Sequence, residues 1–337
     1  MKVSVAMCTY NGEKYIEEQL NSILCQTKKI DEIIICDDGS KDKTIEICTK
    51  ILKSSDVEYT LKLNKENLGF ANNFYQAITL CSGDIIFFSD QDDVWKENKV
   101  DLICRSFDSD PNALLVFSNA YITNENLDIT GDLFKSLSYQ DEYLDSQYDA
   151  FYYILNDNFV TGATTAIKKE ILNYIGDLNN GWAHDYWFGV VAALNGGLKS
   201  INDSLIYYRQ HDSNTIGIGK KYGFDKIKKL FSKNIENNRE NQYAELRLPQ
   251  LNYLKNFISN QNIDFKYREI LEKKLNFWKK REHFGQQGII TNVMIVIKGI
   301  INKEQINNRN VNKAILKDLI KAIALAKRDK RDEENNK

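Results

Sequence analysis

Three carboxylates within four positions, Asp90, Asp92 and Asp93, follow the apolar run 84–89 and form the segment with the strongest chemical signal. Carboxylates this close together repel one another unless a cation neutralises them. Oxygen ligands suit Mg²⁺ and Mn²⁺, which phosphate sites hold through one or two carboxylates and the substrate's own phosphate oxygens. The segment therefore predicts a metal site, although a solvated acidic loop that caps the next helix has the same composition.

A second acidic pair, Asp37 and Asp38, ends the apolar run 32–36 and is followed by Gly39 and Ser40. In isolation, a turn that caps a helix explains this composition at least as well as a binding site does. A carboxylate at this place also accepts hydrogen bonds from a nucleobase imide or a ribose hydroxyl. A position at the same sheet edge as the first acidic segment favours the nucleotide-binding interpretation.

A third candidate, Asp185, follows His184 at the predicted start of a helix and has Trp182, Tyr186 and Trp187 around it. An Asp at a helix start is usually a cap, and flanking aromatic residues are usually core. A carboxylate in an aromatic-walled cleft also acquires the raised pKa that suits a general base. Segment 209–214 adds a cation, an imidazole and amides, which would mean little as an isolated surface loop.

The elements that must position these residues alternate between strand and helix. Strands are predicted at 2–8, 32–36, 59–63, 84–89, 113–118 and 160–167 and as two short strands within 198–209, and helices at 13–26, 43–52, 70–80, 96–107 and 184–195. This alternation implies a parallel sheet with helices on both faces. Ligands of such sheets bind at the carboxyl ends of the strands. The polar clusters 9–11, 37–40, 67–69 and 90–93 are all predicted there.

The composition of the 337-residue chain is that of an ordinary globular protein, since 42% of residues are hydrophobic and 27% charged. Six cysteines without a C-x-x-C pair argue against a disulfide framework or a zinc site. The first ten residues leave no room for the apolar region of a signal peptide, so we expect a cytoplasmic protein.

The charge is distributed unevenly, because residues 218–337 contain 27 Lys and Arg against 14 Asp and Glu. This basic region is predicted to be helical beyond residue 223, and we place a domain boundary near 215–222. It suits an anionic membrane surface or an acidic partner, whereas the apolar stretch 289–301 is too short to span a bilayer. A peripheral contact with the inner face of the plasma membrane and a helical bundle that packs on itself or on a second subunit are both open.

The order and spacing of five motifs resemble those of the family 2 glycosyltransferases over residues 2–215. The motifs are Thr9-Tyr10-Asn11, Asp37-Asp38-Gly39-Ser40, Asn67-Leu68-Gly69-Phe70, Ser89-Asp90-Gln91-Asp92-Asp93 and His184-Asp185. The forms Ser-Asp-Gln-Asp-Asp-x-Trp, His-Asp-Tyr-Trp and Tyr-Arg-Gln-His are most similar to bacterial rhamnosyltransferases and surface-polysaccharide transferases. The resemblance implies a GT-A fold with a Rossmann-like, mixed, mainly parallel sheet at 1–217, followed by a basic helical region at 218–337. It divides the catalytic part into a nucleotide-binding segment, 1–95, and an acceptor segment, 96–217.

The resemblance also implies a role for each site residue in an inverting transfer from a nucleotide-diphosphate sugar to an acceptor hydroxyl. Asp185 matches the catalytic base, although His184 stands where many members have an acid. Asp92 and Asp90 match the pair that binds Mn²⁺ or Mg²⁺, and His211 matches a position that helps to hold the metal or the diphosphate. The implied donor-binding residues are Thr9, Tyr10, Asn11, Glu13, Asp38, Asn67, Gly69 and Asp90. The acceptor is expected to be a saccharide or a lipid-linked saccharide, and nucleic acid is not an expected partner.

Two other functions are open at this point. A sugar nucleotidyltransferase shares the alternating fold, but it would have a Gly-rich basic loop after the first strand, where this chain has Thr9-Tyr10-Asn11-Gly12-Glu13. A non-catalytic scaffold that binds a membrane or a partner would explain the basic helical region. Donor binding and metal dependence distinguish the transferase from the scaffold.

Overall fold

The computed structural model describes residues 1–176, 181–211, 239–259 and 261–282, and residue 294. Its backbone divides into two compact units. The first consists of Met1–Ile154 and Asn158–Ile218, and the second of Leu155–Asp157 and Gly219–Lys337. The units are considered separately below.

Strands and helices alternate through the first half of the first unit, and the second half is less regular. The strands are β1 (Val3–Thr9), β2 (Glu32–Asp37), β3 (Glu58–Leu63), β4 (Ile85–Ser89), β5 (Val94–Trp95), β6 (Leu115–Thr123), β7 (Ile129–Asp132), β8 (Thr165–Lys168) and β9 (Leu198–Arg209). The helices are α1 (Ile16–Leu24), α2 (Thr44–Lys53), α3 (Phe70–Leu80), α4 (Lys99–Ser109), α5 (Leu133–Leu137), α6 (Gln147–Ile154) and α7 (His184–Leu194). Short 3₁₀ turns cover Asp141–Leu144, Gly162–Thr164 and Lys169–Asn173.

The strands form one mixed sheet in the order β3-β2-β1-β4-β8-β6-β9-β5, with β7 paired to β6. Strands β1 to β4 are mutually parallel, and β6 is parallel to β9. Strand β8 runs antiparallel to both β4 and β6, and β5 runs antiparallel to β9. The expectation of a mixed, mainly parallel sheet is confirmed, and the carboxyl ends of β1, β2 and β4 lie side by side.

Continuous apolar runs place the central strands in the core. Every residue of β2 and β4 is buried, as expected of parallel strands that are covered on both faces. Phe87 and Ile35 are fully buried, and complete burial of a side chain of this size contributes roughly 1.5–3 kcal/mol. By contrast, β3 is an edge strand with mostly exposed side chains. The rigid centre of the sheet therefore lies directly beneath the acidic segment after β4.

The prediction of a strand throughout 160–167 was wrong in its first half. Residues Gly162–Thr164 form a 3₁₀ turn, and the strand begins only at Thr165. The turn closes because the carbonyl oxygen of Thr161 accepts hydrogen bonds from the Thr164 amide and from the hydroxyls of Thr164 and Thr165. The β-branched residues that suggested a strand thus use their hydroxyls to bend the chain.

The prediction of two short strands within 198–209 was also wrong, because Leu198–Arg209 is one strand of twelve residues. Its pairing with β6 advances from Ser118 opposite Ile201 to Asn119 opposite Ser204. Asn202 and Asp203 therefore have no partner in this ladder, and they form the polar interruption that the sequence suggested was a turn. A bulge absorbs them and lets the strand continue to Arg209.

The described part of the second unit contains two helices, α8 (Arg239–Ser259) and α9 (Phe265–Glu282), which pack against each other. Arg268 donates to the carbonyl oxygens of Ile258 and Gln261 at 3.2 and 2.9 Å and so fixes the connection between them. Except for residue 294, stretch 289–301 lies outside the described residues, as does most of the basic region. Within the described part of the chain, no helix has the length and apolar character that a membrane crossing needs.

Candidate active site

Asp37 organises the turn at the end of β2. Its carboxylate accepts hydrogen bonds from the Thr9 hydroxyl at 2.8 Å, from the Ser40 hydroxyl at 2.5 Å and from the amides of Gly39 and Ser40. Thr9 is buried, so its hydroxyl is used to join the end of β1 to the end of β2. This buried, fully bonded carboxylate gives the turn a fixed shape before any ligand binds.

Asp38 anchors the loop that precedes α3. Its Oδ1 accepts from the Leu68 amide at 2.8 Å and from the Asn64 side chain at 3.0 Å, and its Oδ2 accepts from the Gly69 amide at 2.9 Å. Asn67 donates in return to the Asp38 carbonyl oxygen at 3.2 Å. Gly69 has a φ of 76°, a conformation that side chains disfavour, which explains a glycine here. Asp38, Asn67 and Gly69 are therefore brought together as expected.

The turn after β1 is tied to both acidic segments. Gln91 makes two hydrogen bonds with the Tyr10 backbone, because its side-chain oxygen accepts from the Tyr10 amide at 2.9 Å and its nitrogen donates to the Tyr10 carbonyl at 3.0 Å. The Asn11 amide donates to the Ser40 hydroxyl at 2.8 Å. The Glu13 carboxylate accepts from the Lys43 amide at 2.9 Å, just before α2. Tyr10 remains 51% exposed at the edge of the site.

Asp90, Asp92 and Asp93 occupy three different environments directly after β4. Asp90 is half-buried, and burial, followed by the charges of Asp92 and Asp185, raises its pKa to about 7. Asp93 is buried, and burial together with Asp92 and Asp90 raises its pKa well above the usual range. Its Oδ1 accepts from the Arg209 amide at 3.0 Å, whereas its Oδ2 has no partner among the described residues. The mutual repulsion that the sequence predicted is thus present in the folded chain.

Arg209, at the end of β9, holds the acidic segment in place. In addition to its amide contact with Asp93, its Nε donates to the Asp92 carbonyl oxygen at 2.7 Å. Its guanidinium also contacts Glu18 and lies 4.5 Å from the centre of the Tyr15 ring. These contacts fix the backbone two residues before His211.

His211 and Asp92 form a direct side-chain pair, with Nε2 and Oδ2 2.8 Å apart. The imidazole lies against the Tyr15 ring, with the centroids 4.9 Å apart. Within the described residues, no three His, Cys, Asp or Glu side chains form a complete metal-binding group. Mg²⁺ and Mn²⁺ in phosphate sites take only one or two carboxylates from the protein, so an oxygen and a nitrogen donor at this separation fit such an ion when diphosphate oxygens complete its shell.

Asp185 lies in the first turn of α7 and is half-buried. Its Oδ2 accepts from the Gly162 amide at 3.1 Å and its Oδ1 from the Tyr186 amide at 2.7 Å. Together with Asp90, Asp92 and Asp93, Asp185 raises the pKa of the Tyr208 hydroxyl, after the larger effect of burial. The charges of all four carboxylates therefore act on the same residue of β9, Tyr208.

The aromatic residues around Asp185 serve mainly as core. Trp182, Tyr186 and Trp187 are buried, and Trp187 donates to the Ile175 carbonyl oxygen at 2.9 Å. His184 stacks on Phe74 with a centroid distance of 4.1 Å, and burial lowers its pKa. These contacts fix the start of α7 and hence the carboxylate of Asp185.

Glu18 and Lys99 were not among the sequence candidates, and Gln91 and Arg209 appeared there only as members of motifs. Gln91, Arg209 and Glu18 act through contacts between residues far apart in the chain, which spacing alone does not reveal. Lys99 did carry a signal, since a lysine shares the buried face of α4 with Val100, Ile103 and Phe107. A charged residue on an apolar helix face is unusual, because burying its charge is costly unless a partner offsets the cost.

Comparison with known proteins decides the identity of the chain, because the sequence model described as Glycosyl transferase family 2 matches residues 4–176. The chain belongs to glycosyl transferase family 2. The family match covers the strand-end turns and all three acids after β4. The enzyme is therefore a glycosyltransferase, as the resemblance implied.

Two relatives and one solved structure are similar to this family 2 glycosyltransferase. It is 31% identical to the dTDP-rhamnosyl transferase RfbG of Shigella flexneri over 227 residues, 63% of this chain and 73% of RfbG. It is 35% identical to the Escherichia coli UDP-Glc:alpha-D-GlcNAc-diphosphoundecaprenol beta-1,3-glucosyltransferase WfgD over 124 residues, 37% of this chain and 47% of WfgD. The mannosyltransferase PcManGT of Pyrobaculum calidifontis, solved with GDP-Man and Mn²⁺, has a TM-score of 0.51 at 17% identity and covers 98% of this chain and 88% of its own. The GT-A fold is confirmed.

We predict that Asp90→Asn stabilises the metal-free glycosyltransferase, and more so at about pH 7.5 than at about pH 5. The folded-state pKa of Asp90 is raised to about 7, so the unfolded chain loses this proton at lower pH than the folded chain. Stability therefore falls as the pH rises from the ordinary carboxyl pKa towards 7, and the neutral amide removes that loss.

Thermal melts in the presence of a chelator measure the effect at both pH values. Asp56→Asn, at an exposed position of the same unit, is the matched control. A gain for Asp90→Asn that is equal at both pH values, or larger at the lower one, would contradict the prediction.

Proposed function

We propose that this glycosyltransferase moves a sugar from a nucleotide-diphosphate donor to an acceptor hydroxyl with inversion at the anomeric carbon. The observation that carries the proposal is the meeting of Asp92 with His211 at 2.8 Å beside Asp90 and within the electrostatic reach of Asp185. The Asp92–His211 pair, which suits a divalent cation, thus lies within the electrostatic reach of Asp185, which suits a proton acceptor. The strand-end turns around them provide the groups that bind a nucleotide.

Donor binding is assigned to the turns at the ends of β1 to β4. The Tyr10 ring is exposed at this edge and offers a face for a nucleobase. Asp38 keeps the 67–69 loop closed through backbone amides, and the oxygen lone pairs that remain can accept from a ribose hydroxyl or a base imide. Asn11 and Glu13 support this arrangement by holding the β2–α2 loop.

Asp92 and His211 are proposed to hold Mn²⁺ or Mg²⁺, with Asp90 facing the ribose and the diphosphate. Bound there, the cation would supply Lewis-acid stabilisation of the charge that develops on the leaving diphosphate. It would also relieve the repulsion that, after the larger effect of burial, raises the pKa of Asp90 and Asp93. PcManGT, which shares the fold and was solved with GDP-Man and Mn²⁺, supports this choice of ion.

Asp185 is the proposed general base. Amide contacts from Gly162 and Tyr186 orient its carboxylate without adding a positive side chain that would oppose protonation. In the proposed step, the acceptor oxygen forms its bond to the anomeric carbon and passes its proton to Asp185, while the bond to the diphosphate breaks. A single displacement from the face opposite the leaving group inverts the anomeric centre.

The proposed donor sugar is rhamnose, and the proposed acceptor is a saccharide on a lipid carrier in bacterial surface-glycan synthesis. The name of RfbG, a dTDP-rhamnosyl transferase, supports the first choice at 31% identity. The name of WfgD, whose acceptor is a sugar on diphosphoundecaprenol, supports the second over the shorter region that it matches.

A thermal-shift screen tests the donor assignment directly, because a ligand that binds only the folded state raises the melting temperature. Uridine, thymidine and guanosine diphosphate sugars are compared with and without Mn²⁺. We expect one nucleotide to stabilise the enzyme only when Mn²⁺ is present, with dTDP-rhamnose as the first compound to examine. Equal stabilisation with and without Mn²⁺ would contradict the metal-bridged binding mode.

Asp92→Asn is predicted to abolish most transfer and to remove the Mn²⁺ dependence of nucleoside-diphosphate binding. A neutral amide is a poorer ligand for a hard cation than a carboxylate. Isothermal titration with and without Mn²⁺ measures the binding, and Asp56→Asn, which is exposed, controls for the loss of one negative charge. Unchanged activity and an unchanged response to chelator would exclude Asp92 as a metal ligand.

Asp185→Asn is predicted to lower turnover by about two to four orders of magnitude while donor affinity is retained, because only the proton acceptor is lost. Turnover is measured as released nucleoside diphosphate under saturating acceptor, and donor affinity by titration. If donor affinity fell as far as turnover, Asp185 would belong to the donor site and not to the chemical step.

A further inference from the structure

Lys99, the first residue of α4, has a fully buried side chain. Burying an ammonium group without partners is strongly unfavourable, so its surroundings must offset the loss of hydration. Its Nζ donates to the Ala163 carbonyl oxygen at 2.7 Å and lies 3.8 Å from the centre of the Trp95 ring. Burial lowers the pKa of Lys99 to about 7, whereas the charges of Asp93 and Asp90 raise it. The amine is thus placed between the acidic segment and the Gly162–Thr164 turn.

The Gly162–Thr164 turn connects this amine to the proposed base. Ala163 accepts from Lys99, and the preceding Gly162 donates its amide to Asp185 Oδ2 at 3.1 Å. The turn has little freedom on its other side, because a Cβ at position 162 would lie 3.0 Å from Nε2 of His184. A displacement of the Ala163 carbonyl would therefore move the amide that orients Asp185.

The same amine is joined to the proposed metal site through the chain. Lys99 begins the helix that follows the acidic segment, and Trp95, which its Nζ overlies, is two residues after Asp93. Asp93 in turn accepts from the amide of Arg209, whose Nε holds the Asp92 backbone. Lys99 thus contacts the framework of both functional halves of the site, which are separated by more than sixty residues in sequence.

We propose that Lys99 is a positioning residue that sets the Asp185 carboxylate against the acidic segment through the Ala163 carbonyl and the Gly162 amide. The inference rests on the proposed function, since it assigns Lys99 an effect on turnover through Asp185. The Lys99 side chain is fully buried, so its proposed effect reaches Asp185 through the turn and not through contact with the substrate. Its loss is expected to misplace the base while Asp92 and His211 remain able to bind a cation.

The test compares Lys99→Met, which keeps most of the length of the side chain and removes its donor, with Lys96→Met on the same segment. The Lys96 side chain is half-buried and lies near Tyr121. We expect turnover of Lys99→Met to fall by about 10- to 100-fold, the effect of a misplacement on the order of 1 Å. The Kd for Mn²⁺, measured from the free-ion signal in electron paramagnetic resonance, is not expected to rise, because a positive charge near Asp90 and Asp93 has been removed.

Turnover equal to that of Lys96→Met, or Mn²⁺ affinity that weakens in proportion to turnover, would overturn the proposal in favour of a purely structural role. If Lys99→Met fails to fold by circular dichroism, Lys99→Gln replaces it, because its amide is polar but ends one atom short of the position from which Nζ holds the Ala163 carbonyl oxygen. The same separation of turnover from Mn²⁺ binding is expected. Hydrogen exchange of peptide 158–168 gives a measurement that needs no sugar donor. We expect this exchange to be faster in the Lys99 variant than in Lys96→Met. If the unaltered enzyme transfers no sugar, the proposed function fails, and equal exchange in the two variants separately refutes the link from Lys99 to the turn.

Discussion

Repulsion among carboxylates at the end of β4 is the constraint on which the rest of the site depends. Asp90, Asp92 and Asp93 lie within four residues, and partial or complete burial makes their charges more costly than they would be in water. The chain offsets part of this cost with the Arg209 contacts, the buried Lys99 and the pairing of Asp92 with His211. The part of this cost that is not offset raises the pKa values of Asp90 and Asp93, and a bound cation would reduce it. Such a site would suit the divalent ion and the diphosphate of the proposed function.

The turns around this acidic centre are fixed mainly by side chains that bind backbone groups. Asp37 and Asp38 both use their carboxylates for backbone amides, and Gln91 pairs with the backbone of Tyr10. Such contacts hold the loops in one geometry before ligand binding, which lowers the entropy that binding must offset. The parallel core strands place the loops at one edge, and the hydrogen bonds then set their shape. These hydrogen bonds connect the fold with the site, because buried polar groups need hydrogen-bond partners.

The sequence was sufficient to predict the strand-helix repeat, the edge where its polar clusters meet and the approach of Asn67 to Asp38, because parallel strands have only one carboxyl edge. It was insufficient where tertiary contacts override local preference. Residues 162–164 have β-branched neighbours, yet hydroxyl bonds to Thr161 bend them into a turn. Asn202 and Asp203 suggested a chain reversal, yet a bulge absorbs them in β9. Lys99 and Gln91 act across more than sixty residues, a relation that no local pattern contains.

The central claim is that Asp92 and His211 together bind the divalent cation that carries the donor diphosphate. Anomalous diffraction from crystals grown with Mn²⁺ and the nucleoside diphosphate selected by the donor screen tests it most directly. The account predicts one manganese peak within bonding distance of Asp92 Oδ2 and His211 Nε2, with diphosphate oxygens completing the coordination shell. A manganese peak away from both side chains, or a bound diphosphate without manganese, would contradict it.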